Sequence, residues 1–185
     1  MPYRTPDAAN PRVQRTRDRI LAAARELLAE AGPAGLTYSV LAGRAGVTRQ
    51  TLYRHWPTRS ALLTDMILVG SAGGYPEPGK DPAVVAAAWL ASLRDAFGNQ
   101  ARRTAVLAVT AQADADPDSA QALVQLTADR RAALNDLLLP SGVQVTPDEY
   151  PLLYGPVLAR ILFERAEATD AFIASVVTRW LAGRQ

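Results

Sequence analysis

The sequence contains no cysteine, only one histidine and only 6% aromatic residues. The lack of cysteine excludes disulfides and thiolate metal sites, and one histidine leaves few options for a catalytic cluster. We therefore expect no catalytic residues, no metal site, no cofactor and no enzyme activity. With so few aromatic residues, a core in a chain that is 49% hydrophobic must be built largely from Ala, Leu and Val. Such a core favours close-packed helices, so the sequence predicts an all-α protein.

Long hydrophobic runs are also missing. The longest uninterrupted apolar run covers residues 83–91, whereas a membrane span needs roughly 20 such residues. No leader of the signal-peptide type, with basic, apolar and small-residue regions in that order, begins the chain. We therefore expect a cytoplasmic protein without membrane contact.

Positive charge is concentrated at one end of the chain. Residues 1–68 contain ten arginines and no lysine against five acids, a net charge of +5, whereas the remainder carries −3. The basic amino-terminal part, next to an acidic remainder, suggests that residues 1–68 bind a polyanion.

Proline and glycine divide the chain into segments. Residues 1–11 contain three prolines and no apolar periodicity, which predicts a disordered arm. The Gly- and Pro-rich segment 70–81 predicts a linker between a domain over 12–69 and a second domain over 82–185.

Start and stop signals predict about nine helices. Apolar spacings of three and four indicate a first helix over 16–31, which ends at Gly32-Pro33. Thr37 and Thr48 can cap two short helices on either side of a turn at Gly46, and a fourth helix begins near residue 59.

In the second domain, proline marks most helix starts. Asp81-Pro82, Asp116-Pro117 and Thr146-Pro147 each combine a capping side chain with proline at the first helical position. Further helices are expected over 99–113 and from about Asp170 to the end of the chain.

The two short helices and their glycine turn form a predicted helix-turn-helix, a motif whose second helix enters the major groove of DNA. Arg49 and Gln50 begin that helix. Arginine can pair bidentately with guanine and glutamine with adenine, so these two residues are the candidates for reading bases. The alternative is that they form a solvated helix face.

Polar side chains around them suit phosphate oxygens, which fix register without reading sequence. The candidates for DNA contact are Thr37, Arg44, Thr48, Thr51, Tyr53, His55 and Arg59. Thr37 and Thr48 also fit a purely structural role as helix caps, and His55 fits packing.

This segment resembles the amino-terminal pattern of the TetR family of bacterial transcriptional repressors. The matching residues are Leu41-Ala42, Arg44-Ala45-Gly46-Val47-Thr48, Thr51-Leu52-Tyr53, His55-Trp56 and Ala61-Leu62. The sequence departs from the pattern at Gln50, where a small residue is common, at Trp56, where Phe is usual, and at Arg59, where Lys is common. The resemblance covers about residues 16–67, and the nine-helix layout is also similar to the family.

The resemblance implies a homodimer that binds a palindromic double-stranded DNA operator and is released by an unidentified small-molecule effector. The second domain would then be a helical ligand-binding and dimerisation domain. The dimer interface is expected on the last two helices, at Leu153, Val157, Ile161, Phe172, Ile173, Val176, Val177 and Trp180. The ligand pocket is expected to include Trp89, Phe97, Gln112, Leu123, Leu134 and Tyr154. For both sets, burial in the core of one chain is the alternative.

Two other classes remain open from the sequence. One is an architectural DNA-binding protein without an effector, and the other is a small helical enzyme with a basic amino-terminal part. An effect of a small molecule on DNA affinity would distinguish the first of these from a ligand-responsive regulator.

Overall fold

The computed structural model describes residues 11–68 and 75–184. In these ranges the chain forms nine α-helices and one short 3-10 helix at Leu139–Ser141, with no strand, which confirms the all-α prediction. The helices are α1 (Pro11–Gly35), α2 (Tyr38–Ala45), α3 (Arg49–His55), α4 (Arg59–Leu68), α5 (Pro82–Gly98), α6 (Gln100–Gln112), α7 (Pro117–Leu138), α8 (Glu149–Leu162) and α9 (Asp170–Ala182). Most of the predicted arm, residues 1–10, and the part of the predicted linker at 70–74 lie outside the described residues.

Side-chain caps fix the starts of the helices. The Thr37 and Thr48 hydroxyls accept hydrogen bonds from the backbone N–H groups three residues ahead, at 3.3 and 3.2 Å. Asn99 caps α6 and Thr169 caps α9 in the same way. Each cap satisfies a backbone donor that has no partner inside the helix, so the helix begins where the capping residue stands.

The start of α8 is a capping box. The Thr146 backbone N–H donates to the Glu149 carboxylate at 2.9 Å, and the Glu149 backbone N–H donates to the Thr146 hydroxyl at 3.3 Å. This reciprocal pair confirms the helix start that the sequence predicts at Thr146-Pro147.

The regular part of α1 ends at Gly32. This residue has φ 64° and ψ −171°, a backbone conformation that is costly for a residue with a Cβ atom. Glycine therefore allows the chain to leave the helix before Pro33, and a short turn to Gly35 follows. At its other end the helix begins at Pro11, inside the predicted arm.

One compact unit contains residues 11–68 and 99–125 of the described chain, which include α1 to α4, α6 and the first part of α7. In this unit α6 packs against both α1 and α4. Its contact side is built from small residues such as Ala101, Ala105 and Val109, all of them buried. The Arg102 guanidinium donates to the Ile67 carbonyl at 3.0 Å and so satisfies a free carbonyl at the end of α4.

The other compact unit contains residues 75–98 and 126–184. Here α5 packs against α8 and α9, which also pack against each other. Trp89, Leu90, Leu134, Leu153 and Val157 are almost fully buried and form part of its core. Apolar side chains of these helices therefore meet inside a single chain.

The compact units do not follow the predicted domain boundary at 70–81. α6 belongs to the predicted second domain by position, but it packs with α1 and α4. The functional division into a DNA-binding part and a ligand-binding part stays a prediction.

None of the helices in the described ranges is both long enough and apolar enough to span a bilayer.

Candidate nucleic-acid interface

A left-handed glycine sets the turn between α2 and α3. Gly46 has φ 61° and ψ 42°, and its backbone N–H donates to the carbonyls of Ala42 and Gly43 in the last turn of α2. The Val47 backbone N–H then donates to the Ala42 carbonyl at 3.0 Å, which closes the end of the helix. Leu41 and Leu52 are fully buried beneath the turn. The sequence-predicted helix-turn-helix is therefore present, with its apolar side inward.

The opposite side of α3 is exposed. Arg49, Gln50 and Arg54 are exposed, and 55% of the surface of Tyr53 is accessible. Thr51 is half-buried, and its hydroxyl lies 3.0 Å from the Thr48 hydroxyl. The residues predicted to read bases thus lie on the outer side of the first turn of α3, where side chains of a recognition helix reach base edges.

A tyrosine holds the exit of α3. The Tyr38 hydroxyl lies 2.7 Å from the carbonyl oxygens of both Trp56 and Thr58 and donates its hydrogen to this pair. Its ring contacts that of Tyr53 with centroids 4.9 Å apart. Burial raises the pKa of Tyr38 to about 12, with a further contribution from Tyr53. The hydroxyl therefore stays protonated at neutral pH and remains a donor.

A buried carboxylate anchors the residue after α3. Asp65 on α4 accepts a hydrogen bond from the Trp56 indole N–H at 2.8 Å and forms an ion pair with Arg17 on α1. The side chains of Arg17 and Asp65 are only 12% and 7% exposed. This network joins α1, α4 and the end of the recognition helix, so it fixes the position of α3 on the unit.

Two cations predicted for DNA contact are bound to α1. Arg44 pairs with Glu30 through two hydrogen bonds of 3.0 and 2.8 Å, and it also lies 3.7 Å from Glu26. The hydrogen bond from Arg44 is the main cause of the lowered pKa of Glu30. The Arg59 guanidinium donates to the Pro33 carbonyl at the end of α1. Arg44 thus attaches α2 to α1, and Arg59 attaches α4 to α1. The phosphate role of both side chains stays a prediction.

His55 is half-buried at the end of α3, with its ring centroid 5.4 Å from that of Trp56. The ring therefore packs against Trp56, and a phosphate contact of His55 stays a prediction. Among the described residues no group of three or more His, Cys, Asp and Glu side chains is placed to hold a metal ion.

A family model for bacterial regulatory proteins of the tetR family matches residues 20–66, which span the helix-turn-helix and its supporting helices. The helix-turn-helix part of the chain is therefore similar to the DNA-binding part of the TetR family. The chain is similar to YdeS, a helix-turn-helix transcriptional regulator of Bacillus subtilis (strain 168), with 26% identity over 95% of this chain and 92% of the relative.

Solved structures show the same fold. A TetR transcriptional regulator from Agrobacterium tumefaciens superposes with a TM-score of 0.67, 19% identity and coverage of 91% of this chain and 93% of that one. A TetR regulator from Haloarcula marismortui gives 0.66, 16% identity and coverage of 92% and 98%. The multidrug binding protein EbrR, solved with imidazole, gives 0.62, 20% identity and coverage of 89% and 93%.

Every residue predicted for DNA contact lies inside the region that the family model matches. The sequence did not single out Tyr38 and Asp65, which support that surface together with Arg17. Asp65 gave a usable signal, because it is the one acid among Leu, Met and Ile residues of α4. Trp56 gave another, since its indole N–H needs an acceptor when buried.

The residues predicted for the ligand pocket fall in both compact units of the chain. Trp89, Phe97 and Leu134 are buried in the unit with α5, α8 and α9, and Tyr154 is half-buried there. Gln112 belongs to the other unit, where its side-chain oxygen lies 3.2 Å from the Ser60 hydroxyl. Leu123 also belongs to that unit. A pocket that contains them stays a prediction.

The dimer interface predicted on the last two helices stays a prediction. Most of its residues are buried within the single chain: Leu153, Val157, Ile173, Val176, Val177 and Trp180. Only Ile161 and Phe172 are half-buried. The apolar stripes of α8 and α9 face α5 and each other, which is the alternative that the sequence left open.

Proposed function

We propose that the protein is a ligand-responsive repressor that binds a palindromic DNA operator as a homodimer and leaves it when a small molecule binds. Its place of action would be the cytoplasm, where bacterial operators are accessible. Each chain would place one α3 helix in a major groove, and the two half-sites would lie one helical turn of DNA apart, about 34–36 Å.

The exposed face of α3 is the observation that supports DNA reading most directly. Arg49 and Gln50 are exposed on a helix whose opposite side is fixed by the buried Leu52. Their donors and acceptors match guanine and adenine edges, and a rigid support reduces the entropy that is lost on binding. Thr37, Thr48 and Tyr53 are exposed beside them and suit phosphate contacts.

Another surface supports a dimer. One side of α8 and the residue that follows it carry exposed or half-buried residues at spacings of three and four. Leu152, Pro156 and Phe163 are exposed, and Gly155 and Ala159 are half-buried. The surfaces of Leu152 and Phe163 are 68% and 83% accessible. The neighbouring helix α9 exposes small residues at similar spacings, namely Ala171, Ala174, Ser175 and Thr178.

An exposed apolar stripe beside a helix face of small residues suits a second copy of the same chain. Two such pairs of helices can pack around a two-fold axis, where each copy contributes the same surface. We therefore assign the proposed interface to these outer faces of α8 and α9, in place of the buried residues that the sequence indicated.

The proposed function includes release from DNA by a ligand. Support comes from the family, and from EbrR, which has a similar fold and is described as a multidrug binding protein. An effector can only release DNA if it prefers a conformation in which the recognition helices no longer match the half-site spacing.

Selection of bound sequences from a random DNA pool tests the proposal. We expect an inverted repeat whose half-site centres are separated by about one helical turn. Recovery of a single half-site, or of no consensus sequence at all, would contradict a dimeric operator-reading protein. A protein that binds all sequences equally would instead be an architectural DNA-binding protein.

A further inference from the structure

Two acidic side chains of α1 lie beside the end of α2. Glu26 and Glu30 are four residues apart, so they lie on the same side of α1, and both are exposed. Arg44, in the last turn of α2, reaches both of them. Its two terminal nitrogens donate to the two oxygens of Glu30 at 3.0 and 2.8 Å, and it lies 3.7 Å from Glu26. One arginine is therefore held by two carboxylates of a neighbouring helix.

The geometry of the Arg44–Glu30 contact differs from that of an ordinary surface ion pair. Exposed pairs contribute little when a single flexible contact joins them, but two parallel N–H···O bonds fix both the distance and the orientation of the guanidinium. The hydrogen bonding raises the pKa of Arg44 and lowers that of Glu30, so both side chains stay charged at neutral pH. Arg44 thus fixes the carboxy-terminal end of α2 relative to α1.

The charges around Arg44 do not suit a phosphate. Glu26 and Glu30 carry two negative charges against the single positive charge of Arg44. A phosphate that approached Arg44 would also meet both carboxylates, and like charges repel. To bind DNA, Arg44 would have to leave Glu30 and lose both hydrogen bonds.

The position of α2 is passed directly to the recognition helix. The turn after α2 is closed by the Val47 backbone N–H, which donates to the Ala42 carbonyl at 3.0 Å. Arg49 begins α3 immediately after the capping residue Thr48. A short turn with its own hydrogen bonds leaves little freedom between two helices, so a shift of α2 also shifts α3.

We propose that Glu30, together with Glu26, is a positioning residue for DNA reading: it holds Arg44 and, through α2, fixes the angle at which α3 meets the major groove. Arg44 then acts within the protein and does not contact phosphate, in contrast to the expectation from the sequence. This inference rests on the proposed operator binding and deepens it, because it assigns a role in DNA recognition to two acids of α1.

Operator binding by full-length variants, measured by fluorescence anisotropy at several salt concentrations, tests the proposal. Arg44→Ala and Glu30→Gln should each weaken binding to the selected operator by about two- to fivefold, the range for an exposed pair with well-defined geometry. Binding to unrelated DNA should stay the same, because it depends on phosphate contacts. The slope of log affinity against log salt should also stay the same, whereas each lost phosphate contact would reduce it by about 0.9.

Glu30→Gln separates the two roles of Arg44 by the direction of its effect. If Arg44 bound phosphate, loss of the competing carboxylate would free Arg44 and tighten binding to all DNA. Asp114→Asn is the matched control, because it removes one exposed acid from the same unit and should leave the preference for the operator unchanged. Circular dichroism shows whether each variant is folded.

A charge exchange between the two helices gives a second test. Arg44→Glu alone brings like charges together, so it should weaken operator binding more than Arg44→Ala does. Addition of Glu30→Arg restores an opposite pair and should recover most of the affinity. A residue that binds phosphate could not be replaced by glutamate in this way.

Tighter DNA binding by Glu30→Gln, a reduced salt slope in Arg44→Ala, or no recovery in the folded charge exchange would overturn the proposal. Unchanged operator affinity in folded Arg44→Ala and Glu30→Gln would also overturn it, since the pair would then stabilise the fold without positioning α3. A parent protein that bound no operator would contradict the proposed function itself. Urea denaturation of the single and double variants would then still measure the pair, and additive losses of stability would show that Arg44 and Glu30 do not act together.

Discussion

Single residues determine how firmly the recognition helix is held. Trp56 is a tryptophan where the family usually has phenylalanine, and its additional N–H group is satisfied by Asp65. The same carboxylate also neutralises Arg17. The buried Asp65 carboxylate therefore accepts from two donors, the Trp56 indole and the Arg17 guanidinium, which come from different parts of the unit. Loss of this acid would leave a desolvated arginine without its counter-charge.

We expect Asp65→Ala to lower the free energy of unfolding by about 3–5 kcal/mol, the range for breaking a buried ion pair from one side. Urea denaturation followed by circular dichroism measures this loss. The double variant Arg17→Met with Asp65→Leu should recover only part of it, because both charges are removed together but the buried Trp56 indole N–H still lacks its acceptor. A loss below about 1 kcal/mol in Asp65→Ala would show that the pair behaves like an exposed one.

Arg49 gives the residue-scale prediction for DNA. We expect Arg49→Ala to cost about 1–3 kcal/mol in binding the selected operator and to relax the preference at one base position. Tyr53→Phe should weaken binding to all sequences equally, since it removes a phosphate contact. Fluorescence anisotropy with base-substituted operators separates the two patterns.

Lys80→Ala is the charge-matched control for Arg49→Ala, because Lys80 is exposed in the other unit. It should leave the operator preference unchanged. An equal loss on every sequence for Arg49→Ala would show that Arg49 contacts phosphate and does not read a base.

At the scale of helices, the sequence predicts where a helix begins, but it does not predict which helices contact one another. Thr37, Thr48 and the Thr146 capping box act within three residues of the groups they satisfy, so local sequence determines these starts. The partners of Arg44 and the position of α6 depend on helices that are distant in sequence. No periodicity encodes such contacts.

The outer and inner faces of α8 and α9 also show that contacts between helices cannot be predicted from the sequence pattern. An apolar stripe indicates that a helix buries one side, but it does not say whether its own chain or a partner covers that side. On α8 both sides are apolar: Val157 faces the core, while Leu152 is exposed. The sequence could therefore predict an apolar helix there but could not distinguish the two faces.

The capping box of α8 predicts a pH-dependent stability. Hydrogen bonding from the Thr146 backbone and pairing with Arg184 lower the pKa of Glu149 below 4.5. A carboxyl with a lowered folded-state pKa stabilises the fold above its unfolded pKa, and this contribution disappears as pH falls through the folded value.

We expect Glu149→Gln to be less stable than the parent by about 0.3–1 kcal/mol at neutral pH, because the amide lacks the charge that Arg184 and the helix dipole favour. The difference should shrink as pH falls below 4.5. Urea denaturation at several pH values measures it, with Glu167→Gln, an exposed acid, as the control. A difference that is constant with pH would mean that charge is not its cause.

At the scale of the whole molecule, the proposed function requires two chains, because a palindromic operator presents two half-sites. The outer faces of α8 and α9 are the proposed contact. Val177, which the sequence indicated as an interface residue, is only 3% exposed in the single chain. A charge at Val177 should therefore unfold the chain, and an exposed residue of the stripe gives a cleaner test.

We expect Leu152→Asp to convert a dimer into monomers in light scattering while the helical circular dichroism is retained, because the 68% exposed side chain contributes little to the core of its own chain. The monomers should bind the operator far more weakly, since each half-site is then bound separately. Leu139→Asp is the matched control: Leu139 is 75% exposed in the short 3-10 helix outside the stripe and should leave the dimer intact. A dimeric Leu152→Asp variant would place the interface elsewhere on the molecule, and a monomeric parent protein would contradict the proposed mode of operator binding.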